Sequence, residues 1–160
     1  MPEIDISFLD STEKKLRFTE LAAGKLGFKV CTIPKRAEEA VNDPKLNLRE
    51  KFDIAVSRAM ANLPVLCELC LPYVKPEGFF IAYKSACAAD LSDPESELSR
   101  SKNAILRLGG KYEDTFYYDL CDFYENADDD KRHCLIIIKK IKNSPSEFPR
   151  RYPQILKKPL

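Results

Sequence analysis

The chain is poor in glycine, has a single histidine and contains no long apolar run. Its 160 residues hold five glycines, and none of them forms the G-x-G-x-x-G loop that cradles dinucleotide phosphates. His133 is the one histidine, which argues against Ser-His-Asp and Cys-His nucleophile systems. Cys67 and Cys70 form a CxxC, but no second pair follows at zinc spacing. They read as small apolar residues on a helix face, and the six cysteines as reduced thiols. No apolar stretch approaches the about 18 residues needed to span a bilayer. The opening MPEIDISFLD lacks the basic and apolar regions of a signal peptide. A cytoplasmic protein without metal or membrane attachment is expected.

What is present describes a globular α/β protein. Hydrophobic residues make up 44% and charged residues 32%, enough for one domain with its own core. The net charge of +1 conceals an asymmetry. Residues 112–130 carry eight acids and no Lys or Arg, whereas residues 131–160 carry nine Lys/Arg against Glu147 alone. Such a basic end is an electrostatic handle for nucleic acid; a solvated tail is the plainer alternative.

The most informative stretch is DIAVSRAMAN, residues 53–62. It reads as a strand ending in Ser57-Arg58, followed by small residues and a new helix. The strand FFIAYK then ends in Lys84. Ligands gather at the carboxyl ends of strands in open α/β sheets, so two cations at one rim suggest a polyanionic substrate.

Along the chain, residues 4–9 read as a strand, and Asp10-Ser-Thr-Glu13 as a capping box. A helix follows to about Leu26, with Leu16, Leu21 and Ala22 inward and Gly27 as its stop. Further strands are expected over residues 28–33, 52–56 and 78–84, with a helical turn at 36–41. Asn62-Leu-Pro-Val opens a helix, and Ser92-Asp-Pro-Glu opens another that ends at Gly109-Gly110. Residues 111–121 and 133–141 read as an antiparallel hairpin joined by an acidic loop. Pro145, Pro149, Pro153 and Pro159 punctuate an extended tail. The division expected is a domain over 1–142 and an extended, basic, proline-rich tail over 143–160. A βαβα series closed by an antiparallel hairpin is the arrangement of class I, S-adenosylmethionine-dependent methyltransferases, with a Rossmann-like sheet.

The segments FLDSTEKKLRF, RAEEA, FDIAVSRAMANLPVLCELCLPYVKPEGFFIAYKSA and IKKIKNSPSEFPRRYPQILKKPL together resemble the bacterial small-subunit (16S) ribosomal RNA guanine-N7 methyltransferase family, also called glucose-inhibited division protein B. The resemblance runs through essentially the whole chain. It implies methyl transfer from S-adenosylmethionine to guanine N7 in 16S ribosomal RNA within the small ribosomal subunit. Carried over by position, Asp10 is the acid that faces the cofactor ribose, Ala37 and Glu38 the pair at the adenine, and Arg58 a further cofactor-binding residue. Lys84 and Arg132, with Lys142, Arg150 and Arg151 of the tail, are implied as RNA-binding. Asn62 stands where the family commonly has arginine. No catalytic residue is singled out. A monomer is expected.

The resemblance also implies a helical region, a first strand and a Gly-rich loop ahead of the residues matched here. Residue 1 falls just before the family's second strand, so the chain reads as N-terminally truncated, lacking the central strand of the sheet. Two alternatives follow. One is a non-catalytic RNA-binding remnant, favoured by the missing loop. The other is a Rossmann-type oxidoreductase, disfavoured by the terminal hairpin. Plainer roles also compete: Asp10 as a helix cap, Glu38 as a solvated acid, Arg58 as half of a structural ion pair, Lys84 as a solvated cation.

Overall fold

The computed structural model describes residues 4–118 and 132–160. They fall into two compact units, one up to Asn47 and one from Leu48 to Leu160. The expected acidic loop lies outside the described residues.

The first unit is a small βαβ element. Strand β1 (Ile6–Leu9) pairs in parallel with β2 (Val30–Ile33), register Ile6 to Val30 and Leu9 to Ile33. Helix α1 (Glu13–Lys25) connects them and α2 (Ala37–Ala40) follows. A helical crossover is what a parallel pair requires. Gly27, at φ +80°, breaks the chain out of α1 as expected. Of the apolar residues assigned inward on α1, Leu16 is buried, but Leu21 is 68% exposed. The capping box does not form. Asp10 Oδ1 instead accepts the Thr12 amide at 2.8 Å, a turn that precedes the helix, and Glu13 pairs with Arg17.

The second unit holds a four-stranded sheet in the order β3-β4-β6-β5. Strand β3 (Phe52–Arg58) runs parallel to β4 (Val74–Ser85). Strand β6 (His133–Lys140) lies antiparallel to both β4 and β5 (Gly110–Tyr118). The expected hairpin is therefore present, with its returning strand inserted between β4 and β5. Helices α3 (Leu63–Cys70) and α4 (Glu97–Arg107) cover one face. Their Leu63, Leu66, Cys67, Leu98, Ile105 and adjoining Leu108 close over Phe80, Ala82, Cys134, Ile136 and Ile138 in one core. Cys67 is fully buried and Cys70 half-buried, and burial pushes both thiols up, Cys70 to about 12. They pack as small apolar groups, and no disulfide or metal cluster occurs among the described residues.

Ser92-Asp-Pro-Glu forms turns, and the cap of α4 is Ser96, whose hydroxyl accepts the Ser99 amide at 3.2 Å. After α4, Gly109 adopts φ +80° and passes so close to the end of β6 that a Cβ would sit 2.2 Å from the Lys142 carbonyl oxygen. Gly109→Ala should therefore destabilise by more than the about 1–2 kcal/mol cost of a left-handed residue alone. Gly24→Ala is the matched contrast. Gly24 lies inside α1 with open space around it, and the change should stabilise by roughly 0.5–1 kcal/mol. Thermal melts of the two variants check both signs.

One expectation about the end of the chain is corrected. Residues 143–160 are not a uniformly extended tail, because Tyr152–Lys157 forms a short helix, α5. Phe148 and Ile155 are buried, and Leu160 packs against the core. Lys140, one of the nine cations of the basic end, has a fully buried side chain. Its Nζ donates to the Leu71 carbonyl at 2.6 Å and to Ser144 Oγ at 2.8 Å, with Glu50 at 3.4 Å.

Candidate functional site

The two units each present a rim of strand ends. In the first, β1 and β2 finish side by side, and the amide of Asp10 donates to the Ile33 carbonyl at 3.4 Å. Asp10 and the Ala37–Glu38 turn are thus brought together at the carboxyl ends of adjacent parallel strands. The Thr12 amide, and then the Lys15 ammonium at 3.2 Å, hold the Asp10 carboxyl below the usual carboxylate range. Asp10 therefore stays ionised throughout the neutral range. Ala37 opens α2 after the connection 34–36 that follows β2, and Glu38 is half-buried. The Glu38 backbone carbonyl accepts the Asn42 side-chain amide at 2.9 Å. Its carboxylate has no hydrogen-bond or ion-pair partner among the described residues. Two carboxylates, one just past the end of β1 and one on the helix that follows β2, offer hydrogen-bond acceptors on this side of the unit.

In the second unit, β3, β4 and β5 end, and β6 begins, on one side of the sheet. Arg58 ends β3, opposite Tyr83. Its guanidinium is exposed and has no ion-pair partner among the described residues. The next residue, Ala59, has φ +53°, a conformation L-residues seldom adopt and one that recurs at functional sites. Ser57, just before Arg58, is 3% exposed, and its hydroxyl has no partner among the described residues. Arg132 precedes β6 on the same side, where its carbonyl accepts the Ala86 amide at 2.9 Å.

Lys84 lies on the inward face of β4, with Phe80 and Ala82, and its side chain is only 12% exposed. Its Nζ pairs with Glu97 Oε2 at 2.6 Å and donates to the Ala61 carbonyl at 2.7 Å. The same Glu97 oxygen accepts the Leu63 amide that opens α3. Lys84 and Glu97 therefore form a post beneath residues 59–62, fixing the turn that carries Arg58. Asn62 caps α3, its side chain accepting the Val65 amide at 3.4 Å.

The tail cations do not gather at this rim. Lys142 follows the far end of β6, beyond the Lys140–Gly110 pair. Arg150 is drawn inward to Glu68, with Nη2 at 2.6 Å from Oε2 and Nε at 2.9 Å from Oε1. Arg151 is exposed at the start of α5. Glu97 and Glu68, the acids that set the geometry, are the residues sequence reasoning missed. Glu68 had a signal, since it stands alone in the apolar helix LPVLCELC and has to be buried with a partner.

The sequence pattern of the family described as rRNA small subunit methyltransferase G (GidB) matches residues 1–110. A protein named ribosomal RNA small subunit methyltransferase G from Clostridium novyi (strain NT) is 43% identical over 160 residues, covering 99% of this chain and 60% of the relative. Its namesake from Clostridium botulinum (strain Eklund 17B / Type B) is 42% identical over 158 residues, covering 98% and 60%. The chain thus spans about three fifths of the length of the curated relatives it matches. Among solved structures, a protein described as a methyltransferase from Bacillus halodurans C-125 superposes with a TM-score of 0.61 at 13% identity, covering 87% of this chain and 84% of that one. The Methanococcus jannaschii fibrillarin pre-rRNA processing protein gives 0.56 at 18%, covering 86% and 57%. At these identities the likeness concerns the fold, a class I methyltransferase-type α/β arrangement. With its strand-end acids, its SRAMA turn and this match in place, the chain belongs to the rRNA small subunit methyltransferase G family.

Proposed function

We propose that this chain carries part of the machinery for methyl transfer from S-adenosylmethionine to N7 of a guanine in 16S ribosomal RNA. The observation that carries the reading is that Asp10 and the Ala37–Glu38 turn follow the ends of two adjacent parallel strands, β1 and β2. Asp10 is the acceptor suited to the ribose hydroxyls, and Glu38 the one suited to the adenine amino group. When bound, the cofactor supplies an electrophilic methyl group. Guanine N7 already holds an in-plane lone pair and no proton, so no general base is needed. What the protein contributes is alignment, which in favourable cases supplies roughly 7–11 kcal/mol. Arg58 is assigned to the cofactor, as its place in the family motif implies, Arg132 to RNA contact at the rim, and Lys142 and Arg151 to backbone phosphates elsewhere along the RNA. Lys84 and Arg150 are assigned an indirect part, holding the turn and the tail that present these cations. The substrate class follows the name of the relatives; guanine and its N7 follow the resemblance of the motifs.

Calorimetric titration of the 160-residue chain with S-adenosylmethionine tests the cofactor half. Glu38→Ala should weaken binding by about tenfold or more while leaving the thermal midpoint unchanged, because its carboxylate holds nothing else in place. A folded chain that binds no cofactor would sink this half of the reading. Arg58→Ala should reduce methyl transfer to small subunits without altering the melt. A loss of fold on that change would make Arg58 a structural residue.

A further inference from the structure

Two thiols meet at Ser85, where β4 ends and β6 begins. Cys134 is fully buried on the inward face of β6, in register with Lys84, and its S–H donates to the Ser85 carbonyl at 3.3 Å. Cys87 is exposed, in the short 3-10 helix Ala86–Ala89 that follows β4, and its sulfur lies 3.1 Å from the Ser85 hydroxyl. This segment is held against the start of β6. Ser85 pairs in register with His133, and the Ala86 amide donates to the Arg132 carbonyl at 2.9 Å. One thiol therefore faces solvent with a hydroxyl beside it, while the other is sealed from solvent on the same residue. The other cysteines among the described residues have no such arrangement. Cys31 is exposed but is the only cysteine of the first unit. Cys67 and Cys70 belong to α3, where burial pushes both thiols up.

We propose that Cys87 and Cys134 form a reversible oxidation site, at which hydrogen peroxide converts Cys87 to a sulfenic acid and Cys134 then closes a disulfide. In the first step the Cys87 thiolate attacks a peroxide oxygen. The O–O bond breaks, an S–O bond forms and hydroxide leaves, so that sulfur gives up two electrons and peroxide takes them. In the second step the Cys134 sulfur attacks the Cys87 sulfur. The S–O bond breaks, and the hydroxyl leaves as water with the Cys134 proton. Two thiols and one peroxide thus become one disulfide and two waters; an added dithiol restores both thiols and is itself oxidised to a disulfide. Exposure and an adjacent hydroxyl donor mark Cys87 as the sulfur that meets the oxidant. Cys134 suits the second role. Burial first, and then the neighbouring Cys87, pushes its thiol up to about 11, which keeps it inert toward peroxide. The Lys84 ammonium pulls the other way, toward the thiolate that an attack needs. Lys84 also belongs to the post beneath the turn that carries Arg58, so a bridge at Cys134 bears on that turn. The inference does not depend on methyl transfer.

The test uses the 160-residue chain carrying Cys31→Ser and Cys121→Ser, which retains Cys67, Cys70, Cys87 and Cys134. Treatment with hydrogen peroxide should remove the mass of two hydrogens without joining chains, and peptide mapping should link Cys87 to Cys134. Dithiothreitol should reverse both changes. Amide exchange over residues 59–62 should differ between the reduced and bridged forms. Adding Cys87→Ser should abolish the bridge and leave the melt unchanged, because that side chain is exposed. Adding Cys134→Ala instead should stop the reaction at the sulfenic acid, seen as a dimedone adduct on Cys87. The peptide map decides the matter even where the Cys134 change disturbs the fold. The proposal is overturned if both thiols survive peroxide, or if Cys87 passes to sulfinic acid with no bridge formed. It is equally overturned if the bridge maps to another pair or joins two chains.

Discussion

Arg150→Ala should lower the stability of the chain by about 3–5 kcal/mol, the usual effect of breaking a buried ion pair from one side. Its partner Glu68 is fully buried in α3, and Arg150 supplies three donors to that carboxylate: the backbone amide at 2.8 Å, Nε at 2.9 Å and Nη2 at 2.6 Å. Glu68 in turn holds the arginine, raising it above its ordinary value. Removing the side chain leaves that carboxylate inside an apolar helix with the backbone amide of residue 150 but no countercharge. The guanidinium also lies over the Phe148 ring and donates to the Lys158 carbonyl at 3.1 Å, so α5 and the last residues lose their tether as well. For a chain of this size the thermal midpoint should fall by about 6–20 °C. Arg150→Ala with Glu68→Gln should recover part of the loss, since the amide removes the unpaired charge. An Arg150→Ala midpoint within a degree or two of the parent would show that the latch contributes nothing.

Lys140→Met should be comparably costly, about 3–5 kcal/mol near neutral pH, and its effect should depend on pH in a definite direction. Burial lowers the Lys140 ammonium to about 8, against the opposing pull of Glu50. Below that value the lysine is protonated in both folded and unfolded chains, and the burial penalty is fully present. Between about 8 and the ordinary lysine value of 10.5 the folded chain sheds the proton while the unfolded chain keeps it. The parent therefore gains stability as pH rises through this window, by up to about 3 kcal/mol. The buried thiols act oppositely at high pH, because burial raises Cys67, Cys70 and Cys134 in the folded chain. They are common to parent and variant and cancel in the difference. The gap in unfolding free energy between parent and Lys140→Met should therefore widen from pH 7.5 to 10. A flat difference would show that Lys140 is not held in a proton-releasing environment.

How far the sequence could be read depended on the range of the interactions that decide each feature. The order of strands and helices, the closing hairpin and the turn at Gly109 are set by short-range pattern and were visible as such. The roles of the cations were less so, since a lysine or arginine carries no local mark of where its charge is neutralised. Arg150 finds its acid 82 residues away and Lys140 its carbonyl 69 residues away. Parity was the available clue. Lys84 shares its face with Phe80 and Ala82, and Lys140 with Ile136 and Ile138, so an alternation count would have sent both inward. Asp10 was placed at the correct strand end, but its bonding to Thr12 follows from a turn geometry that a capping-box pattern does not distinguish. Leu21 sits at helical spacing from Leu16, yet spacing names a face without saying whether anything lies against it.

The insertion of β6 between β4 and β5 has a consequence for synthesis on the ribosome. Among the described residues strand β5 touches no other strand of its sheet except β6, so while residues 110–118 are emerging that partner is not yet available. The sheet can close only after residue 140 has left the exit tunnel, when β6 joins both neighbours at once. The first unit, whose two strands are joined by a short helical crossover, is free of that delay. A chain stalled or cut anywhere before His133 loses two strands together, and with them half of the second unit's sheet. The interval between release of Ser85 and release of Lys140 is therefore the vulnerable period of this protein's biogenesis, when the apolar face of β4 has to wait for its partner.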